Sequence, residues 1–359
     1  MDKIAIIGAG KTGRGFIGRL LAEDNREIIF IDKNKALVDG LNAEKSFDIY
    51  FFGGKRPPVT VNNYIAYTWE NADIEGAAAV FVSVGGTNLA DAGKSLNGLL
   101  KKGREYSVVA CENAGEPSKI LEGAYSGANA GFADAAVFCT TVEKGSGGLD
   151  IVSENYPYLQ CDKKPLKPNF PQIKGVRPTD GFENFLTRKI YTYNSASAVI
   201  AYLGHIKGYE VYSDAANDPE ILEFLDKNYE EVGGALCKAF GYDKSDQDEF
   251  AALSKTKFRD PGITDTIERN AREPHRKLGP DERIIGPMKL IEAHGGDSGV
   301  LQMTAAAMLL YENENDKEWT RIKKDKPHGE ILREIAGLEK GGRLYNGILD
   351  KLDFINDLK

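Results

Sequence analysis

Short hydrophobic runs alternate with helical segments over the first half of the chain. Residues 4–7 form a continuous apolar run, as expected of a central parallel strand that is covered on both faces. Further apolar runs occupy residues 77–86, 107–113 and 135–143, each ending in polar or glycine residues, and residues 36–44 between the earlier runs are predicted to be helical. This alternation predicts an α/β fold with a largely parallel sheet.

Two later changes of pattern suggest where the first domain is interrupted and where it ends. Aromatic and β-branched residues at 46–69, broken by Gly-Gly and Pro-Pro pairs, predict a hairpin-like excursion. Residues 145–180 are rich in Gly, Pro, Asp and Lys and are predicted to form strands and loops. From about residue 182 the period becomes helical. We therefore predict an N-terminal domain over 1–187 and a mainly α-helical domain over 188–359.

A glycine-rich turn follows the first apolar run. Gly8, Gly10 and Gly13 form G-x-G-x-x-G, in which the glycines provide a tight turn, close approach to a pyrophosphate and close helix–strand packing. The second apolar run ends at Asp32, roughly 20 residues on, where an acid accepts the ribose 2′-hydroxyl. The N-terminal domain is therefore predicted to be a Rossmann dinucleotide-binding domain. Because the Asp32 carboxylate would repel a 2′-phosphate, the expected cofactor is NAD rather than NADP.

The ends of two other predicted strands should border the same cofactor. Ligands of open α/β sheets gather at the carboxyl ends of the strands. Val84 and Gly85 follow one predicted strand, and residues 112–115 follow the next. These segments are therefore expected to line the dinucleotide site.

Length and charge limit the classes of protein to which the chain can belong. Its 359 residues exceed the size at which one hydrophobic core usually stops growing, so two domains are expected. A net charge of −8 argues against a general nucleic-acid surface. The sequence has neither a membrane-length apolar stretch nor a signal-peptide pattern, so we expect a cytoplasmic protein that has no membrane partner. We also expect a monomer or a weak dimer.

The cysteines predict neither a metal centre nor a disulfide framework. Cys111, Cys139, Cys161 and Cys237 are widely spaced and include no C-x-x-C pair. Zinc sites and small disulfide-rich folds show closer and more regular spacings. The cysteines are expected to be reduced and structural, and no metal ligands are predicted.

A candidate base lies at the start of the helical domain. Oxidising a secondary alcohol with NAD requires a group that removes the hydroxyl proton, and the Rossmann domain offers no obvious one. In a straight α-helix, Lys189, Ser197 and Asn194 would lie at about 0°, 80° and 140° around the axis. These three side chains are therefore predicted to share one broad helix face and to line one wall of a cleft.

Four long stretches of the chain resemble a known enzyme family. They are IGAGKTGRGFIGRLLAE (7–23), VACEN (109–113), RKIYTYNSASAVIAYLG (188–204) and FRDPGITDTIERNAREPHRKLGPDERIIGP (258–287). Together they resemble the polyol-specific long-chain dehydrogenases over nearly the whole chain. The resemblance implies a metal-independent, NAD-dependent oxidoreductase that interconverts an acyclic polyol phosphate and a ketose phosphate.

The family motif K-x4-N-x2-H assigns roles within the third stretch. The resemblance implies that Lys189 is the base, whose pKa desolvation beside the cationic nicotinamide would lower, and that Asn194 binds the oxyanion. Asn113 is similar to the family's other oxyanion partner, and two amide donors would stabilise an alkoxide. Where the family has histidine, this chain has Ser197, which can form hydrogen bonds but cannot carry charge.

A concentration of positive charge between residues 269 and 283 predicts an anion site. It comprises Arg269, Arg272, His275, Arg276, Lys277 and Arg283. Arginine binds phosphates and carboxylates with bidentate geometry, and the resemblance places the Arg276-Lys277 segment and the following Arg283 segment near the substrate. The alternative is a solvated helix face, which for Arg269 and Arg272 is as well supported as a functional role.

Two further functions remain open at this point. A hexuronate reductase of the fructuronate or tagaturonate type would also use a small, anionic, open-chain substrate, so the basic residues do not separate it from a polyol-phosphate dehydrogenase. A catalytically silent NAD-binding homologue would explain the substitution at Ser197.

Overall fold

The computed structural model describes residues 3–54, 56–113 and 115–357. Its chain forms two compact units, Met1–Phe182 and Glu183–Lys359. The boundary predicted between residues 187 and 188 falls inside a helix, Phe182–Lys189, that begins at the last residue of the first unit.

The first unit is built from two sheets with helices between their strands. Its strands are β1 (Lys3–Ile7), β2 (Glu27–Ile31), β3 (Phe47–Phe51), β4 (Val59–Val61), β5 (Tyr64–Tyr67), β6 (Ala77–Val82), β7 (Tyr106–Ala110), β8 (Ala130–Ala136), β9 (Thr141–Glu143), β10 (Ile151–Ser153), β11 (Leu159–Asp162) and β12 (Val176–Thr179). Its helices are α1 (Arg19–Glu23), which continues a π-helical segment Gly13–Gly18, α2 (Lys35–Glu44), α3 (Leu89–Leu99) and α4 (Pro117–Ala124).

The larger sheet has eight strands in the order β12-β11-β8-β7-β6-β1-β2-β5. β1 pairs in parallel with both β2 and β6, and Ile4, Ile6 and Ile7 are fully buried. An apolar run without polar alternation becomes a strand of this kind because both faces of the strand are covered. The α/β fold and the central position of the first apolar run are therefore confirmed.

The smaller sheet, in the order β4-β3-β10-β9, differs in part from expectation. The predicted excursion contains the antiparallel pair β3–β4, but its last strand, β5, returns to the main sheet parallel to β2. The single strand expected over 135–143 is wrong. The chain leaves the main sheet after β8, and Thr141–Glu143 pairs with β10 instead, because apolar residues satisfy either sheet and periodicity cannot tell the two apart.

The second unit is helical, as predicted. Its helices are α5 (Phe182–Lys189), α6 (Ser195–Ile206), α7 (Tyr212–Ala216), α8 (Pro219–Phe240), α9 (Lys244–Phe258), α10 (Ile267–Ala271), α11 (Pro274–Lys277), α12 (Ile285–Ala293), α13 (Gly299–Leu310), α14 (Lys317–Asp325), α15 (His328–Glu334) and α16 (Arg343–Asp357). A π-helical segment, Ile190–Asn194, joins α5 to α6.

Helices α6 and α13 form the centre of this unit's hydrophobic core, and most residues of both are buried. Around them, α8 is capped at its N-terminus by Asp218, whose side chain accepts hydrogen bonds from the backbone amides of Glu220 and Ile221. Such a cap stabilises a helix by about 1 kcal/mol. Gly241 follows the C-terminus of α8 with φ +71°, a conformation that favours glycine. None of the helices in the described part of the chain has the length and apolar character needed to cross a membrane.

Candidate active site

A cavity of about 490 Å³ lies in the first unit at the carboxyl ends of β1, β2 and β6. Its lining includes Gly8, Gly10, Asp32, Val84 and Gly85. The strand ends that sequence reasoning predicted to border a cofactor therefore do lie around one cavity, whose size is typical of a small-molecule site.

The three glycines of the turn differ in what surrounds them. A Cβ at Gly8, where φ is +95°, would lie 2.0 Å from the Ser83 carbonyl oxygen, and a Cβ at Gly13 would lie 1.9 Å from that of Gly8. Gly13 therefore packs helix against turn and is absent from the cavity lining. A Cβ at Gly10 would meet nothing within 4 Å, so Gly10 offers the open backbone surface that a pyrophosphate needs.

Asp32 is fixed by the backbone at the edge of the cavity. Its Oδ2 accepts a hydrogen bond from the Ala9 amide at 2.7 Å, and its Oδ1 accepts one from the Asn34 amide at 2.8 Å. A carboxylate oxygen has two acceptor sites, so both oxygens can still accept a ribose hydroxyl. The geometry suits the adenosine ribose of a dinucleotide.

Other cavity residues were not singled out from the sequence. Glu112 accepts a hydrogen bond from the Gly85 amide at 2.6 Å, and burial raises the pKa of its carboxyl group. Trp69 and Lys33 also line the cavity, and Lys33 Nζ donates to the Asn88 side chain at 3.0 Å. Glu112 lies in the strand-end segment that was expected to border the cofactor, whereas nothing in the sequence pattern marks Trp69.

Lys189 lies at the end of α5 in the second unit, in a partly buried position. Burial and, to a smaller extent, the positive charges of Lys257 and Arg283 together lower the pKa of its amine to about 8. Desolvation and like charges both disfavour the ammonium form. Lys189 is therefore a lysine that can exchange a proton near neutral pH. Sequence reasoning missed Lys257, since a lysine near the end of a charged helix is typical of a solvated surface.

The helix after Lys189 is not the straight α-helix that was assumed. The chain is π-helical from Ile190 to Asn194, and the Ser195 amide donates to the Ile190 carbonyl. The angles calculated for Lys189, Asn194 and Ser197 are therefore wrong. An i→i+5 turn is wider than an α turn, so it decreases the angle between Lys189 and Asn194. π-helical turns of this kind are frequent at functional sites.

Ser197 is paired with a buried tyrosine. The Tyr212 hydroxyl donates a hydrogen bond to Ser197 Oγ at 3.0 Å, and the Tyr212 ring lies edge-on to Phe258 with centroids 5.8 Å apart. Burial raises the pKa of Tyr212 well above its usual range, so this hydroxyl remains protonated. Since Tyr212 occupies an acceptor site on Ser197, the serine keeps its own proton for donation to another group.

The basic residues in and after α11 differ in burial. Lys277 is 6% exposed, donates to the Asn270 carbonyl at 2.6 Å, and has its pKa lowered to about 7 by burial and then by the charges of Arg283 and Arg276. Arg276 is exposed and pairs with Glu273 at 3.0 Å. Arg283 is largely buried beside Glu282 at 3.1 Å, and its charge acts on both Lys189 and Lys277.

The remaining predicted residues are more dispersed. His275 is partly buried, and its Nδ1 has no hydrogen-bond partner among the described residues. Arg269 is exposed and pairs with Asp265 at 2.9 Å, as expected of a solvated helix face. Asn113 follows β7 in the first unit and is exposed. Within the described ranges, no group of three or more His, Cys, Asp or Glu side chains could hold a metal ion, and no two cysteines form a disulfide bond.

Both halves of the chain match known domains. Residues 2–142 match the mannitol dehydrogenase Rossmann domain, and residues 182–357 match the mannitol dehydrogenase C-terminal domain. The chain belongs to the mannitol dehydrogenase family. The resemblance identified from its sequence motifs is thereby confirmed, and the Rossmann domain accounts for a cavity suited to a nicotinamide dinucleotide.

Relatives of this family match the chain over nearly its whole length. The mannitol-1-phosphate 5-dehydrogenase of Oceanobacillus iheyensis is 30% identical, with 98% of each chain covered. The enzyme of the same name from Podospora anserina is 29% identical, with 97% of this chain and 95% of the relative covered.

Two solved structures share the fold. A D-sorbitol dehydrogenase in substrate-free form has a TM-score of 0.77 at 14% identity, covering 99% of this chain and 93% of that one. The Pseudomonas fluorescens mannitol 2-dehydrogenase, solved as a ternary complex with NAD and D-mannitol, has a TM-score of 0.65 at 14% identity, covering 99% and 91%.

Proposed function

We propose that the protein interconverts an acyclic polyol phosphate and a ketose phosphate with NAD(H), in the manner of mannitol 1-phosphate and fructose 6-phosphate. The proposal is carried by two poorly hydrated cations, Lys277, which is 6% exposed, and Arg283, whose side chain is 15% exposed. The charge of Arg283 also lowers the pKa of Lys189. We infer that the anionic group of the substrate binds to these cations, near the lysine that exchanges the proton. The names of the relatives that match the full chain support a phosphorylated polyol.

In this proposal Lys189 removes the proton from the substrate hydroxyl and returns it in the reverse direction. A base is most effective when its pKa lies near the working pH, and that of Lys189 is about 8. Asn194 donates its amide to the developing alkoxide, and Ser197 donates its hydroxyl to the same group. Asn113 is the second amide donor that the resemblance to the family implies. Because Lys189 supplies the base, the proposed reaction needs no metal ion. A nicotinamide dinucleotide held by Gly8, Gly10 and Asp32 would supply the group that accepts or donates the hydride.

Lys277, Arg283, Arg276 and His275 are proposed to hold the substrate phosphate. Lys277 is buried and has a pKa of about 7, so a fraction of this amine is neutral before substrate arrives. A bound dianion would favour the ammonium form. His275 Nδ1, which lacks a partner among the described residues, is a further polar group available to the anion.

We also propose NAD rather than NADP, because the Asp32 carboxylate faces the cavity and would repel a 2′-phosphate. NADH should therefore give the higher kcat/KM. Asp32→Ser should decrease the ratio of kcat/KM with NADH to kcat/KM with NADPH without abolishing turnover, as measured by steady-state kinetics with both cofactors. A higher kcat/KM for NADPH in the unaltered enzyme would contradict the role of Asp32.

Initial rates of NADH oxidation test the substrate class. Fructose 6-phosphate and other ketose phosphates should be reduced with a higher kcat/KM than fructuronate, tagaturonate or unphosphorylated fructose. A preference for a hexuronate would replace the proposal with the reductase alternative, in which the same basic residues bind a carboxylate. Absence of turnover with every substrate, together with retained NADH binding, would indicate a silent homologue.

A further inference from the structure

Gln247 bridges two residues that flank Lys189. It is 1% exposed, its Oε1 accepts from Arg188 Nε at 2.7 Å, and its Nε2 donates to Thr192 Oγ1 at 3.0 Å. A guanidinium can only donate hydrogen bonds, so the amide oxygen must face Arg188 and the amide nitrogen must face Thr192. One buried side chain on α9 therefore holds the segment on both sides of the proposed base.

Arg188 is itself fixed by contacts of several kinds. Its guanidinium carbon lies 4.6 Å from the Tyr242 ring centroid and 4.4 Å from that of Phe250. Its Nη2 donates to the Asp246 carbonyl at 2.8 Å, and its Nη1 pairs with the Asp246 carboxylate at 2.7 Å. A planar cation held by stacking and by fixed acceptors has little freedom, so Gln247 is attached to an ordered group.

The π-helical segment Ile190–Asn194 follows Arg188, contains Thr192 and leads into α6. Asn228 on α8 donates to Ser195 Oγ at 3.4 Å just after the segment. A Cβ at Gly233 would lie 3.4 Å from Gln247 Cγ, which shows how closely α8 packs on the Gln247 side chain. Two neighbouring helices thus contact the π turn through buried polar groups.

A π turn needs such support, because it contains one residue more than an α turn and is rare in proteins. If the extra residue were absorbed into regular α-helix, one flank would rotate by about 100° relative to the other. Such a rotation would carry the Lys189 amine away from Asn194. The contacts from Gln247 favour the arrangement in which the two side chains are brought closer.

We propose that Gln247 is a positioning residue, which holds Arg188 and Thr192 so that the π turn aims the Lys189 amine at the substrate. The inference rests on the proposed role of Lys189 as the base. Gln247 is not expected to contact substrate or cofactor.

Gln247→Met removes the amide while nearly preserving length and volume. We expect kcat to fall about 10- to 10²-fold, since displacement of a catalytic group by about 1 Å has effects of this size, and the Kd for NADH to remain within twofold. Thr192→Val should act in the same direction. The kcat of the double variant, Gln247→Met with Thr192→Val, should be little lower than that of Gln247→Met alone. The reason is that Gln247→Met has already removed the hydrogen bond that Thr192→Val removes.

Gln302→Met is the matched control. Gln302 Nε2 donates to Ser298 Oγ at 2.9 Å on α13, so this variant also loses a glutamine–hydroxyl bond within the second unit. We expect it to lower the thermal midpoint without lowering kcat. Equal effects of the two glutamine variants on kcat would show that Gln247 is merely structural.

A titration of Lys189 gives a readout that does not depend on turnover. Lysines labelled by reductive methylation with ¹³C-formaldehyde can be followed by NMR, with Lys189 assigned by its absence in Lys189→Arg. In Gln247→Met the pKa of Lys189 should rise, because a displaced amine is better hydrated. An unchanged titration and an unchanged kcat would overturn the inference. If Lys189→Ala stays active, the proposed base is wrong, yet this titration still decides whether Gln247 orders the lysine.

Discussion

Replacing Lys189 by alanine should lower kcat about 10²- to 10⁴-fold, the range typical of losing a general acid–base. The Kd for NADH should stay unchanged, because the dinucleotide cavity is formed by residues of the first unit. Steady-state kinetics give kcat. Energy transfer from Trp69, which lines the cavity, to bound NADH gives the Kd. A near-normal kcat in this variant would remove Lys189 from the mechanism.

The pH dependence of the unaltered enzyme should also show that Lys189 is the base. Alcohol oxidation requires the neutral amine, so its kcat/KM should rise with pH and level off above the Lys189 pKa of about 8. Ketone reduction requires the ammonium form and should decline over the same range. Lys189→Arg is the matched control, since arginine keeps the charge but cannot lose its proton in this range.

Replacing Arg283 by methionine should raise KM for a phosphorylated substrate about 10²-fold, since removing one partner of a largely buried charge pair has an effect of this order. The variant also removes a positive charge that acts on Lys189. The pKa of Lys189 should therefore rise, moving the rising limb of alcohol oxidation to higher pH. Kinetics over a pH series measure both effects in one experiment.

Arg269→Met is the control for this prediction. Arg269 is exposed and pairs with Asp265, so its loss should leave KM and the pH profile nearly unchanged. If Arg283→Met and Arg269→Met behave alike, the basic residues act only through overall charge, and Arg283 has no particular part in binding the anion.

The dinucleotide cavity could be predicted from sequence because its determinants are local. The strand, the glycine turn and the helix occupy residues 3–23, and the close approach that excludes a side chain at Gly13 is to the Gly8 carbonyl of the same motif. Asp32 then follows at the end of the adjacent strand. Hydrophobic periodicity and turn chemistry are sufficient for such a unit.

The surroundings of Lys189 could not be predicted in the same way. The π turn is supported by Gln247 and Asn228, which lie far along the chain and on different helices. Lys257 affects Lys189 only because α9 folds back beside it. Helical periodicity predicts that these helices exist, but it predicts neither which residues of one helix face the next nor the π turn. For this reason the predicted angles of Lys189, Asn194 and Ser197 around the helix axis were wrong.

A crystal structure of the ternary complex with NADH and a polyol phosphate would show directly which residues hold the substrate. We expect the phosphate to be held by Lys277 and Arg283, and the reacting hydroxyl to lie within hydrogen-bond distance of the Lys189 amine and the Asn194 amide. A phosphate bound away from both basic residues, or a reacting hydroxyl out of reach of Lys189, would contradict it.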